Sequence, residues 1–226
     1  MADRTVPAPQ PWESGSPAVS EWRCIVADAA HDATVREAEE RWQVGNHPAN
    51  YRWTHVQTVV RLALRLAELT GADREVVEAA AWLHDIAKRG RDDDHGYLGS
   101  LRAREILSAT DYPPDKIDAV ADAIARHVGL WTEEPVTPLE AAVLWDADKL
   151  TKLGVAAGMQ DIAAYVLSRH GAIDDLPYAA TALLYGQTVD SFHTAPARAA
   201  GRVRLEAQSA FWRQVARELV GDDLSD

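Results

Sequence analysis

Hydrophobic positions recur with helical spacing along almost the whole chain. From Ser20, a candidate N-cap, Trp22, Ile25, Val26, Ala29 and Ala33 mark one face of a first helix. The segment after Gly45, NHPANYRW, breaks the pattern and reads as a loop. Thr54 is then placed as the N-cap of a helix with Val56, Val59, Val60, Ala63, Leu66 and Leu69 inward, closed by Gly71. Asp73 opens an alanine-rich helix that turns Val76, Val77, Ala80, Leu83 and Ile86 inward. A basic-then-acidic loop, KRGRDDD, precedes a helix expected near Leu98–Leu107, and Pro113-Pro114 separates it from another ending near His127. Thr137-Pro138-Leu139-Glu140 has the pattern of a capping box, with Thr as N-cap, proline first in the helix and Glu third. That helix runs through Asp146, Asp148 and Leu150 towards Gly154. Three more are expected over Ala156–His170, Pro177–Phe192 and Pro196–Leu219. No period-2 strand and no repeat of about 20–50 residues interrupts this pattern. The fold class is all-α, an irregular bundle of roughly eight helices.

Composition narrows the picture. Residues 1–18 carry Pro7, Pro9, Pro11 and Pro17 with few large apolar side chains, and read as a disordered or loosely attached lead-in. Residues 19–226 are expected to form a single helical domain, in keeping with 226 residues of which 47% are hydrophobic. The 23 Lys+Arg against 35 Asp+Glu give a net charge of −12, which a phosphate backbone would repel, so no nucleic acid is expected as a partner. One cysteine, Cys24, excludes an intramolecular disulfide and a Cys-rich zinc module. No run of about 18 apolar residues suggests a membrane span. The opening MADRTVPAPQPWESGSP lacks the basic and apolar stretches of a signal peptide, and the expected location is cytoplasmic.

The histidines carry the chemistry. Four of eight fall in order with two aspartates: His55, His84-Asp85, His95, His127 and Asp148. The doublet ends an apolar helix, where a carboxylate beside an imidazole is costly to bury unless a cation is bound between them. His55, near the start of the preceding helix, can face the doublet across an antiparallel pair. His31 and His170 read as surface residues. Trp22, Trp42, Trp82 and Trp145 suit helix packing; Trp53 and Trp131 suit packing in the core or at a pocket rim.

This order resembles the HD-domain superfamily of metal-dependent phosphohydrolases. The matching pieces are His55 in YRWTHVQTVVRLA, His84-Asp85 in AAAWLHDIAKRG and Asp148 in VLWDADKLTKLG. They span about residues 50–155; a weaker likeness to the C-terminal helix of one hydrolase branch continues through SFHTAPARAAGRVRLEAQSAFWRQVARE, where His193 reads as structural. The resemblance implies an HD-type helical bundle with His55, His84, Asp85 and Asp148 as metal ligands. It favours Asp148 over Asp146 through the Ala-Asp-basic-Leu string, although helical spacing puts Asp146 in line with Val143, Leu150 and Leu153. His95 and His127 stand where two-metal branches, such as the symmetrical dinucleoside tetraphosphate hydrolases and cyclic-dinucleotide phosphodiesterases, add ligands and use the doublet Asp as a bridge. They would bind a second metal or the substrate phosphate. The Glu-Asp pair of alarmone hydrolases is Lys88-Arg89 here, which argues against that branch.

Imidazole and carboxylate donors without thiolate favour Mn, Fe, Co, Ni or Mg over a structural zinc, with one or two ions per chain. The implied reaction is attack of metal-bound hydroxide on a phosphate ester or anhydride in a nucleotide or similar small molecule. Asp85 and Lys88 are the candidate catalytic residues, and Lys88 and Lys149 the candidate substrate-binding residues. Arg89 and Arg91 can steer phosphate, and Asp92–Asp94 can shuttle protons. A di-iron HD oxygenase of the myo-inositol oxygenase type and a non-catalytic metal-bound HD domain are the alternatives. The expected partner is a small phosphorylated substrate, with no membrane, and a homodimer is left open.

Overall fold

The computed structural model describes residues 21–42, 51–89, 94–129, 134–160 and 189–224. They are helical: α1 (Glu21–Trp42), α2 (Tyr51–Thr70), α3 (Arg74–Leu83), α4 (His95–Ser108), α5 (Ile117–Arg126), α6 (Leu139–Leu150) and α7 (Ala195–Val220), with 3-10 turns at Pro114–Lys116 and Val189–Ser191. Residues 155–160 are also helical, and the described residues contain no strand. The fold is all-α. The 1–18 lead-in, most of the expected Ala156–His170 and Pro177–Phe192 helices, and Ser20, Arg91, Asp92, Asp93, Trp131 and His170 lie outside the described residues.

α3 lies at the centre because its side chains are small. Ala79, Ala80 and Ala81 expose nothing, and α1, α2, α5 and α6 all pack against the helix. Asp73 caps α3 as expected, accepting the Glu75 and Val76 amides at 2.9 and 3.2 Å. Gly71 ends α2 with a φ of 79°, a left-handed conformation that a side chain would resist. Around this pair the core takes Trp22 and Val26 from α1, Val59 from α2, Leu107 from α4, Ile124 from α5, Trp145 from α6 and Ala197 from α7. Burying each of the larger apolar side chains contributes about 1.5–3 kcal/mol. No described helix is long and apolar enough to cross a membrane.

Four local expectations change. The inner line of α1 runs through Trp22, Val26, Ala30, Thr34 and Glu37, with Ile25, Ala29 and Ala33 only half-buried beside it. α2 is described from Tyr51 onwards, and Thr54 is an exposed first-turn residue and not the cap. Leu69, expected inside, is 53% exposed. The Thr137 capping box is not formed. Pro138 takes the N-cap position without a side-chain cap, and Glu140 instead accepts the Asp73 amide at 3.0 Å, tying the starts of α6 and α3.

α7 is fastened along α6. Asp146 accepts the His193 and Thr194 amides, both at 2.8 Å, while the Thr194 hydroxyl caps α7 through the Ala197 amide. Farther along, Arg204 donates to the Leu150 carbonyl and Gln208 accepts the Gly154 amide at 3.0 Å. Asp146→Ala should leave the buried Thr194 amide and the part-buried His193 amide unpaired and lower stability by about 1–3 kcal/mol in urea unfolding. A midpoint equal to wild type would contradict this docking role.

Candidate metal centre

α3 ends at its C-cap, His84, and the turn that follows brings His84 and Asp85 into the middle of the bundle. The His84 ring is fully buried, and its Nδ1 donates to the Ala81 carbonyl at 2.8 Å. His127, just past α5, donates from Nδ1 to the Ile124 carbonyl at 2.6 Å. His55, on α2, donates from Nδ1 to the Thr151 hydroxyl at 3.2 Å, because that hydroxyl gives its own proton to the Asp148 carbonyl. These acceptors assign the same tautomer to all three rings, with a bare Nε2 facing inward.

The inward atoms form two triads. His55, His84 and Asp148 make one, and Asp85, His95 and His127 the other; within each, the ligand atoms lie within 4.8 Å of one another. His55 Nε2 is 3.3 Å from Asp148 Oδ1 and 3.3 Å from His84 Nε2. Asp85 faces both groups. Its Oδ2 is 3.8 Å from His55 Nε2 and 3.6 Å from His84 Nε2, while its Oδ1 is 3.6 Å from both His95 and His127 Nε2. The structure thus gathers all six residues expected from the sequence and assigns Asp146 to the α7 contact.

The ten residues from Asp85 to His95 suffice because α4 begins at His95 and packs tightly on α5. A Cβ on Gly96 would lie 2.5 Å from Val128 Cγ2, and one on Gly99 3.2 Å from Ile124 Cγ2. Bare glycines let the helix axes approach until His95 meets His127, with ring centroids 5.1 Å apart.

The donor set fits a divalent cation. Two unprotonated Nε2 atoms face each other at 3.3 Å beside two carboxylates, an arrangement that repels itself until a cation sits between the lone pairs. Burial, then Lys152, lowers the His55 pKa to about 3, and burial also lowers that of His84, so both imidazoles are neutral. Burial would raise the Asp85 carboxyl, but the His84 and His127 imidazoles beside it and the Arg52 charge outweigh it and hold it well below the usual range. At Asp148 the same burial is outweighed by Lys149 and Lys152. Neutral imidazoles and ionised carboxylates are the protonation states that metals bind.

Four cations border this cluster and, with Asp85 and Asp148, line a cleft of about 180 Å³. Lys88 places Nζ 3.2 Å from His95 Nε2. Lys149 is buried and donates to the His127 carbonyl at 2.9 Å and Asp148 Oδ2 at 2.5 Å. Arg52 donates to Asp85 Oδ2 at 3.1 Å and lies 3.6 Å from the buried Glu37. Lys152 reaches Asp148 Oδ1 at 3.3 Å. Sequence reading missed Arg52, Thr151 and Lys152. Spacing held the signal for two of them, since Arg52 precedes His55 by three residues and Lys152 follows Asp148 by four. Arg89 is exposed, Trp53 stacks on Trp82, and His193 packs on Trp145, outside both triads.

A family model described as HD domain matches residues 52–153, the stretch that carries His55, the His84-Asp85 doublet and Asp148. Over this stretch the chain is similar to the HD domain. Bacillus subtilis YpgQ, solved in complex with ADP, shares the fold with a TM-score of 0.62 at 22% identity, over 87% of this chain and 96% of that one. An HD-superfamily hydrolase from Bacillus thuringiensis superposes with a TM-score of 0.63 at 19% identity, over 88% and 98%. A predicted HD-superfamily hydrolase from an uncultured Thermotogales bacterium gives 0.58 at 21%, over 86% and 91%. A 76-residue stretch is 34% identical to the tRNA (cytidine(56)-2'-O)-methyltransferase of Picrophilus torridus, covering 33% of this chain but only 20% of that protein. The second-triad residues His95 and His127 also fall inside the matched range.

The protonation states predict an acid response. Groups whose folded pKa is lowered bind protons more readily in the unfolded chain, so folding stability is complete above the ordinary histidine value and declines as pH falls towards the folded one. The metal-free protein should therefore lose stability progressively from about pH 6.5 down to about pH 3, from the lowered His55 value. Urea midpoints that stay flat between pH 7 and pH 5 would contradict buried neutral histidines.

Proposed function

We propose that this protein is a metal-dependent phosphohydrolase that cleaves a phosphate ester or anhydride bond in a nucleotide or similar small phosphorylated molecule. The observation that carries this reading is the pair of triads that meet at Asp85 in a cleft lined by four cationic side chains. His55, His84, Asp85 and Asp148 would hold one divalent ion, and His95 and His127 with the other Asp85 oxygen would hold a second. An ion there supplies Lewis acidity towards a phosphoryl oxygen and lowers the pKa of water. Mn, Fe, Co, Ni and Mg all suit these donors. A positive field would also reconcile a chain of net charge −12 with an anionic substrate, because bound ions and the nearby cations would dominate the local potential.

The chain's own groups do the rest. The hydrogen bonds on His55, His84 and His127 keep each Nε2 aimed inward, and Arg52 holds Asp85 Oδ2 on the first-triad side. Lys88, beside His95, lies where it can donate to a phosphoryl oxygen as the water oxygen bonds to phosphorus and the leaving oxygen departs with a proton. The cleft of about 180 Å³ is smaller than a typical small-molecule site of about 300–1,000 Å³, so its enclosed part suits a phosphate group, with the remainder of the substrate at the mouth. ADP in the complex of the similar YpgQ structure, and the hydrolase descriptions of two further neighbours, support this chemistry. The net charge argues for a free nucleotide over a nucleic acid. A cytoplasmic enzyme, alone or as a homodimer, fits such a substrate.

Paired triads around a shared carboxylate also suit a di-iron oxygenase. Oxygen uptake by the iron-loaded protein with a polyol or phosphonate, without phosphate release from nucleotides, would replace the hydrolase reading. The completeness of both triads argues against a non-catalytic domain. Incubation with nucleotides and dinucleoside polyphosphates in Mn²⁺, Co²⁺ or Fe²⁺ should release phosphate, and Asp85→Ala should lower the rate on the order of a thousandfold or more. Equal release by wild type and variant, or none from any metal-loaded sample, would overturn it.

A further inference from the structure

Two lysines flank Asp148 on the cleft side, and their settings differ. Lys149 is 3% exposed, with its ammonium fixed between the His127 carbonyl and Asp148 Oδ2 and 5.2 Å from the centre of the Trp145 ring. It ties the end of α5 to α6, and turning it towards a ligand would break two buried hydrogen bonds. Lys152 has a side chain 36% exposed and a longer contact, 3.3 Å, to Asp148 Oδ1. That oxygen is the one facing His55 Nε2, the atom a cation in the first triad would take. An ammonium and a divalent ion repel one another when both seek one carboxylate oxygen. An ion there would have two imidazoles and a second carboxylate beside it, so Lys152 is the partner it would displace.

We infer that Lys152, rather than Lys149, binds the anionic group of the substrate, swinging from Asp148 into the cleft when the first triad is filled. The inference rests on the phosphohydrolase reading. The lysine stem is flexible and its ammonium carries three donors, so the swing needs only rotamer changes. Of the other cations on the first-triad carboxylates, Arg52 keeps Glu37 as a second partner and Lys149 keeps the His127 carbonyl, while Lys88 stands at the second triad, beside His95. Among the cations on the first-triad side, Lys152 is thus the one whose Asp148 contact an ion there would take without a second partner to hold it.

Calorimetric titration separates the two roles. Metal-free protein is titrated with Mn²⁺, and Mn²⁺-loaded protein with the non-hydrolysable α,β-methylene analogue of ADP. Lys152→Met should bind Mn²⁺ as tightly as wild type or more tightly, and the nucleotide analogue about tenfold more weakly; Lys152→Arg should restore the nucleotide affinity. Lys149→Met should weaken Mn²⁺ binding. Unchanged nucleotide affinity in Lys152→Met, with wild type still hydrolysing nucleotides, would overturn the assignment alone. Weaker Mn²⁺ binding in Lys152→Met would overturn it too, because Lys152 would then be a support for Asp148. Wild-type protein that holds Mn²⁺ yet binds neither the analogue nor pyrophosphate would overturn both this inference and the hydrolase reading.

Discussion

Two carboxylates, Asp85 and Asp148, are buried within a few ångströms of the same imidazoles, and the surrounding bundle depends on how their charge is balanced. An uncompensated buried carboxylate costs several kcal/mol. Here both remain ionised because histidines, Arg52, Lys149 and Lys152 surround them. The helices exist in an order that makes this possible: α2 delivers Arg52 and His55, α3 delivers the doublet, α4 and α5 deliver His95 and His127, and α6 delivers Asp148. Alanines let α3 sit between four neighbours, and glycines let α4 close on α5. Small residues in this fold are what bring large polar ones together.

α6 has two separate duties. Asp146 and Asp148 are two positions apart, about 200° around a helix, so they face opposite sides. One side fastens the start of α7 through two amides; the other offers a carboxylate to the cluster. The same helix end carries Thr151, which orients His55, and α7 braces that end through Arg204 and Gln208. The C-terminal helix therefore lies outside the matched HD stretch yet stabilises the turn on which the site stands.

Much of this was legible in the sequence, for physical reasons. Asp73 and Gly71 act through backbone amides a few residues away, so their roles show locally. The ligand order showed because titratable groups are rare on apolar faces. Glu140 was misread because its local partner, the capping box, lost to a tertiary one, the Asp73 amide. The inner face of α1 shifted towards Glu37 because Arg52, on another helix, makes burying that carboxylate possible. Asp146 against Asp148 could not be decided by periodicity, since both are buried; only the presence of α7 separates them. Lys149 and Lys152 have similar local settings, and only the location of the end of α5 shows which is locked.

The central claim is that Asp85 serves two metal triads, one on each carboxylate oxygen. Anomalous diffraction at the manganese edge from Mn²⁺-loaded crystals tests it most directly. The account predicts two peaks, one among His55, His84 and Asp148 beside Asp85 Oδ2, and one among His95 and His127 beside Oδ1. A single peak away from Asp85, or full occupancy of one triad with Asp85 turned out of the cluster, would contradict it.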